Sequence, residues 1–357
     1  MSGDRVSREY RWFIWIIKIG VIGFCCLNVS FLLNNLRPTN DTGDTDKELS
    51  KSHRLSRTGE FDDLLRFLGT NESLLSSNES EIISPEVNET EYTGTNYKFI
   101  AFTKSFAEAH ETRKFLREKS WLSYNWTKQD GSEISWRHFF LVGLSLDTEA
   151  NENLKVENDT FGDILMSNTF TFHRHQTYKI MWMLKYAVKN LNYKFLIQLD
   201  DDTIANVRLL DTYLTKLLRD GKDKDLYIGA NCGKKAALRD GIFRTSEDVW
   251  PEPVYPSYCC GAGVIYSNDV IERLVNVWKS YRQPVVGHDD VQIGILAHIA
   301  GGIVASDVEY GIRLGYTVGH DEDFLLLAIR PLEIGAGLLK NYLETGVYGN
   351  ESIGWHG

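Results

Sequence analysis

Apolar and polar positions divide the chain into three stretches. Arg11 to Leu33 (RWFIWIIKIGVIGFCCLNVSFLL) is almost unbroken in its apolar character and has about the twenty residues that a bilayer core requires. From about Arg37 to Thr95 the chain is rich in Ser, Thr, Asn, Asp and Glu, interrupted by the short amphipathic piece EFDDLLRFL. Such a segment buries too little apolar surface to fold alone. From Asn96 onward, apolar runs of strand length alternate with stretches of helical spacing. Tyr97-Lys-Phe-Ile-Ala-Phe reads as a first strand, Ser105 to Trp121 as a helix, and HFFLVGLS (138–145) and FGDIL (161–165) as further strands. Gln176 to Lys189 places Ile180, Met183, Leu184 and Ala187 on one helix face. KFLIQL (194–199) is a strand followed by a helix over Val207 to Leu218; DLYIGA (225–230) and GAGVIYS (261–267) are later strands, and Asn268 caps a helix running to Trp278. This alternation predicts an α/β layered sheet, in which ligands bind at the carboxyl ends of the strands.

Charge and composition orient this scheme. The 357 residues are 43% hydrophobic and 25% charged, which is globular. A net charge of −10 without a Lys/Arg block excludes nucleic acid as a partner. Arg5, Arg8 and Arg11 precede the apolar segment; Asp41, Asp44 and Asp46 come after it. The positive flank stays cytosolic, so the chain on the far side of the apolar segment is lumenal or extracellular. The expected organisation is a cytosolic tail (1–11), a transmembrane signal anchor (12–36), a flexible stalk (37–95) and a folded lumenal domain (96–357). A cleaved signal peptide fits less well, because the apolar run is long and lacks a small-residue cleavage site. Sequons at Asn40, Asn71, Asn78, Asn88, Asn125, Asn158 and Asn350 agree with lumenal exposure. Cys232, Cys259 and Cys260 fall in the same compartment, where disulfides persist. Neighbouring cysteines rarely pair, so Cys232 joins either Cys259 or Cys260.

The strand KFLIQL ends in Asp200, Asp201 and Asp202. Adjacent carboxylates repel and raise one another's pKa unless they share a cation, and oxygen ligands on a short turn suit a hard divalent ion that also takes phosphate oxygens. A solvated acidic turn is the plain structural reading of the same residues. A second acidic pair, Asp289 and Asp290, opens an apolar helix-like run in GHDDVQIGILAHIAG (287–301). Such a pair is either a favourable charge at a helix N-terminus or a general base for a hydroxyl nucleophile. Between the two sites, VYPSYCCGAGVIYS (254–267) combines small residues with tyrosines. Gly261 and Gly263 permit close backbone approach, and Trp250, Tyr255 and Tyr258 offer flat faces to a sugar.

Taken in order, these motifs resemble the β-1,3-glycosyltransferases of the galactosyltransferase, N-acetylglucosaminyltransferase and fringe family. The resemblance covers FFLVGLS, FGDIL with the later Thr177-Tyr-Lys179, Leu199-Asp-Asp-Asp202, Tyr255-Pro-Ser-Tyr-Cys-Cys-Gly-Ala-Gly263 and Asp289-Asp-Val-Gln-Ile-Gly294, from about Tyr97 to Gly302. It implies a nucleotide-sugar-binding domain of the GT-A type and an inverting transfer from a UDP-sugar to a glycan on glycoprotein or glycolipid. It implies Mn2+ (or Mg2+) on Asp202 with Asp201 or Asp200, and Asp290 as base with Asp289 beside it. Arg113, Arg117 and Lys179 are implied on the donor side, with Trp250, Tyr255, Tyr258, Gly261 and Gly263 on the acceptor side. The anchor and stalk match those of single-pass type II Golgi enzymes. The departures are specific. Arg117 lies one residue further from Trp121 than the family spacing, Asp289 replaces a glutamate, and Gln292 replaces a tyrosine. The apolar strand FLLLAIRP (324–331) lacks the histidine that binds metal in relatives, for which His320 is a substitute. A lumenal lectin or chaperone that kept the fold without turnover, or a Ca2+-dependent binding module, would share part of this pattern.

Overall fold

The computed structural model describes residues 96–170, 176–241, 243–307, 312–314 and 324–346. The expected anchor and stalk, His320 and the sequons at Asn40, Asn71, Asn78, Asn88 and Asn350 lie outside these residues. Among the described residues, no helix is long and apolar enough to cross a membrane.

Seven strands form a central mixed sheet in the order β3-β2-β1-β4-β7-β6-β8: β1 (Asn96–Ser105), β2 (Trp136–Leu144), β3 (Ile164–Phe170), β4 (Asn192–Asp200), β6 (Tyr227–Gly233), β7 (Tyr258–Ser267) and β8 (Ser306–Asp307). β1 runs parallel to β2 and β4, while β7 is antiparallel to β4 and β6. A small second sheet joins β5 (Thr203–Ala205), β10 (Leu326–Ala328) and β9 (Ile312–Leu314) in the order β5-β10-β9.

Residues alternate sides along a strand, so β1 feeds two cores. Phe99 and Ala101 pack on one face with Leu116 of α1 (His110–Lys119), Leu154 of α2 (Thr148–Phe161), Leu210 of α4 (Val207–Arg219) and Leu339 of α7 (Leu332–Thr345). Ile100 and Phe102 pack on the other with Ile180 of α3 (Gln176–Asn190), Leu274 of α5 (Asn268–Ser280) and Leu296 of α6 (Asp289–Ile299). Helices on both faces explain why the strands read as continuous apolar runs rather than alternating ones.

The α/β architecture agrees with the sequence pattern; several boundaries do not. The first helix starts at His110, not Ser105, because β1 runs through Ser105. Phe161 and Gly162 are not strand: Phe161 closes α2, and Gly162 is its left-handed cap at φ 62°, a conformation glycine adopts at little cost. That helix carries little apolar periodicity, with Leu154 its buried aliphatic. Asn268 is the first residue of α5 rather than its cap, which is Ser267.

Candidate active site

Two chain segments meet at the carboxyl end of the sheet. Parallel pairing of β1 with β4 sets Lys104 beside Asp200. The Lys104 ammonium contacts Asp200 Oδ1 at 2.8 Å and Asp289 Oδ2 at 2.9 Å. One lysine thereby joins the acidic triplet to the acidic pair. Gln198, buried on β4, adds a hydrogen bond from Nε2 to Asp289 Oδ2 at 3.4 Å. Asp290 sits on the first turn of α6 and accepts a hydrogen bond from the Gly261 N–H at 3.2 Å. A Cβ on Gly261 would lie 3.1 Å from Lys104 Nζ and 3.6 Å from Asp290 Oδ2, so this glycine admits both charged groups.

The remaining cations come from further away in the chain. Lys179 is buried on α3, its Nζ donating to the Ser105 carbonyl at 3.2 Å. Arg330 lies just beyond β10; its Nε donates to Asp202 Oδ2 at 3.1 Å and its Nη2 to Asp201 Oδ1 at 3.0 Å.

These contacts split the carboxylates into unequal groups. Burial and the Asp289 charge push Asp290 up to about 8. Asp289 goes the other way: burial opposes it, but the charge and hydrogen bond of Lys104 hold it below the usual carboxylate range. The pair is therefore unequal: Asp290 is the readier to hold a proton and Asp289 the readier to stay ionised. Burial also raises Asp200, to about 6, against the pull of Lys104. Its side chain keeps 37% exposure, so water shares in stabilising the ionised form. Asp201 and Asp202 are raised by burial despite Arg330. Burial, then Lys104, lowers Lys179 to about 8. Burial alone would lower Lys104, yet Asp200, Asp289 and Asp290 together raise it well above the ordinary lysine value.

Five carboxylates thus lie within electrostatic reach of three cations, an excess of negative charge in a partly dry cleft. Among the described residues, Asp202 Oδ1 is buried without a hydrogen-bond partner. Raised carboxylates and an orphaned oxygen are what a hard divalent cation relieves, so Asp200, Asp201 and Asp202 fit the expected metal. Among the described residues, no group of three or more His, Cys, Asp or Glu side chains is arranged to hold a metal ion as it stands; Lys104 and Arg330 occupy oxygens of the triplet instead.

Other expected residues land elsewhere. Arg113 is fully buried and bonds Glu157 through Nε at 2.8 Å and Nη2 at 2.6 Å, with further bonds to Ser105 Oγ and the carbonyls of Phe106 and Ala107. Its donors are spent holding the loop after β1, not facing a sugar nucleotide. Arg117 bonds Glu157 and Asp163 and lines a cleft with Trp136 and His138; neither bonding partner belongs to the acidic cluster around Lys104. Gly263 serves packing: a Cβ there would come within 2.9 Å of Leu326 Cδ1. Trp250, Tyr255 and Tyr258 do cluster, with centroids 5.6 Å apart for the first pair and 6.3 Å for the second. Tyr255 is buried; Trp250 and Tyr258 are half-buried, and the Lys235 ammonium lies over the Tyr258 ring at 4.1 Å. Cys232 is joined to Cys259, and Cys260 stays outside the disulfide. Asn125 is exposed, whereas Asn158 is buried and accepts a hydrogen bond from the Ile164 N–H at 2.9 Å, leaving no room for a glycan on that amide.

Lys104, Gln198 and Arg330 escape motif reading. Their signal is positional: Lys104 and Arg330, like Asp200, are charged residues where an apolar strand ends.

Residues 111–305 match the galactosyltransferase family model. The chain belongs to the galactosyltransferase family. The match takes in α1 through the end of α6, and with them Asp200–Asp202, Gly261 and Asp290. Relatives include a hydroxyproline O-galactosyltransferase of Arabidopsis thaliana, 29% identical over 52% of this chain and 26% of that protein. Beta-1,3-galactosyltransferase 9 of Homo sapiens is 29% identical over 53% of this chain and 50% of that protein. The match thus spans about a quarter of the first of these curated relatives and half of the second. A mannosyltransferase of Pyrobaculum calidifontis, solved with GDP-Man and Mn2+, aligns at 12% identity and a TM-score of 0.34, covering 80% of this chain and 70% of that one, a likeness too slight to carry an argument.

Proposed function

We propose that this galactosyltransferase-family chain transfers a hexose or N-acetylhexosamine from a UDP-sugar to a glycan hydroxyl, with inversion and formation of a β-1,3 linkage. The observation that carries the reading is the divided acidic site: a triplet with an orphaned buried oxygen beside one carboxyl raised to about 8. A base works best with a pKa near the operating pH, and Asp290 meets that condition next to a cluster suited to a metal–diphosphate. Asp202, with Asp201 or Asp200, would hold Mn2+ or Mg2+, whose chemistry is to neutralise charge on the departing UDP. Asp290 takes the acceptor hydroxyl proton, and the freed oxygen attacks the anomeric carbon from the face opposite UDP. Asp289, kept ionised by Lys104, raises the basicity of Asp290, whose ionised form is the one that accepts the proton. Trp250 and Tyr258 supply stacking faces for the acceptor sugar.

The charge flanks, sequons and disulfide-permissive cysteines support a single-pass type II Golgi membrane protein, anchored by 12–36, with stalk 37–95 and a GT-A-type domain over 96–357 in the lumen. The test is UDP binding by the purified whole chain with Mn2+ and with EDTA, beside Asp202→Asn, and then hydrolysis of a panel of UDP-sugars. Metal-dependent binding that Asp202→Asn abolishes is the expected result; equal binding in EDTA would remove the triplet from the metal site.

A further inference from the structure

The three cations at this site differ in freedom. Lys179 is 1% exposed, and the Lys104 side chain is 12% exposed and clamped between two carboxylates. The Arg330 side chain keeps 41% exposure. Its backbone is nevertheless fixed: the Ile329 N–H donates to the Asp202 carbonyl at 3.0 Å, and Ala328 pairs with Thr203. The strand therefore anchors the base of the side chain next to the triplet while the guanidinium can swing without breaking a core. Where it rests is informative. Its two bonding nitrogens divide over Asp201 and Asp202 rather than gripping one carboxylate as a fork, so it engages one oxygen of each carboxylate on which a divalent ion would draw. Nη1 makes no hydrogen bond among the described residues, and a partly exposed guanidinium with open donors suits a phosphate.

We propose that Arg330 is a built-in counter-ion of the acidic triplet, one that a divalent ion must displace and that then takes up a phosphate oxygen of the nucleotide donor. The first half stands on the shared carboxylates; the second rests on the sugar-nucleotide reading above. Two positive charges on one pair of carboxylates repel each other and divide the same negative charge, so Arg330 weakens metal binding before the donor arrives. Once displaced, it stays tethered at the rim, where a diphosphate brings the negative charge it has lost. Ion and diphosphate then bind better together than apart, because each removes part of the cost of moving the side chain.

Mn2+ titrated into the whole protein, monitored by the electron paramagnetic resonance signal of the free ion, tests the first half. UDP titration at saturating Mn2+ tests the second. Arg330→Gln should bind Mn2+ alone about tenfold more tightly than the unaltered chain, since one competing charge-assisted pair is gone, and UDP about tenfold more weakly. Arg330→Lys, which keeps the charge without the fork, should fall between on both scales. Tighter metal binding is not a result that damage to the fold would produce. Mn2+ affinity that is unchanged or lower in Arg330→Gln overturns the proposal, as does UDP binding that persists in EDTA and is lost with Arg330→Gln, which would make the arginine a replacement for the ion. Tighter Mn2+ binding with no UDP binding by either protein upholds the competition and overturns the nucleotide reading instead.

Discussion

Asp290→Asn should separate stability from turnover. Asparagine is nearly the same size, and its carbonyl oxygen can still accept from the Gly261 N–H that Asp290 meets at 3.2 Å. The fold and the triplet therefore survive. The aspartate itself is raised from 3.8 to about 8, so between those values the native chain binds more protons than the unfolded one. Stability then falls as pH rises through that window. At ~1.4 kcal/mol per unit, the full shift would cost about 6 kcal/mol at pH 8. Asp289 shares the proton and water reaches the carboxyl, which reduces this to about 1–3 kcal/mol. Asp290→Asn should thus unfold at a temperature equal to or above that of the unaltered chain at pH 8, with the advantage shrinking toward pH 4. Transfer should fall by roughly 10²–10⁴, the range for loss of a general base, with UDP affinity within a few fold. In the unaltered chain, transfer should climb as pH rises toward about 8, as Asp290 gives up its proton. Asp289→Asn should show the reverse balance: a smaller loss of turnover but lower stability, because Lys104 and Gln198 lose a partner. Melting curves from pH 4 to 8 and initial rates on the three proteins decide the matter. Normal transfer by Asp290→Asn, or a greater catalytic loss at Asp289, would refute the assignment.

The remaining predictions concern the frame of the site. Gly294→Ala places a Cβ 2.6 Å from Tyr258 Cβ and 2.9 Å from the Ser257 carbonyl; overpacking of this kind costs about 1–3 kcal/mol, read as a lower denaturant midpoint. Glu157 is held down to about 2 by Arg113 and Arg117 against its burial. Its contribution is complete above its unfolded value, near 4.5, and is lost as pH falls through about 2. Glu157→Gln should cost about 3–5 kcal/mol at neutral pH and flatten the acid limb of a stability-versus-pH curve; an unchanged limb would contradict the buried pair. In a eukaryotic host, glycopeptide mass spectrometry should find a glycan on exposed Asn125 and none on buried Asn158. A fully occupied Asn158 would contradict the packing of α2 against β3.

The features legible in the sequence are those set by local chemistry. The apolar runs around Phe99, Phe140 and Leu196 predict buried strands because two helical layers cover the sheet, and Asp200–Asp202 stand out because an apolar strand rarely ends in three like charges. Gly294 stands in the sequence only as a motif position; its reason, the approach of Tyr258, is visible only in the packing. Helix α2 is not legible because its surface is mostly polar, with one aliphatic anchor at Leu154. Arg113 shows a different difficulty. A motif preserves the residue, but the partner that explains it, Glu157, lies 44 positions away in that polar helix. A motif arginine thus reads as a ligand contact when it belongs to the fold.

Arg330 inverts that case. The strand FLLLAIRP draws notice for a histidine it lacks, and the arginine it ends with is 128 residues from Asp202. Charge complementarity at that separation depends on β10 pairing with β5, and β5 is three residues long, too short for periodicity to show. Yet the same rule that singles out Asp200 applies to Lys104 and Arg330, since each is the charge at which a buried strand reaches solvent. In a layered α/β sheet those positions converge at one edge, whatever their separation in sequence. The sign of the charge then divides the labour. On the proposed reading, carboxylates gather where a cation and a proton would be held, and Lys104, Lys179 and Arg330 would set how tightly each is held before a substrate arrives. The metal and donor affinities of the site should therefore respond more to these three residues than to the aromatic faces beside it.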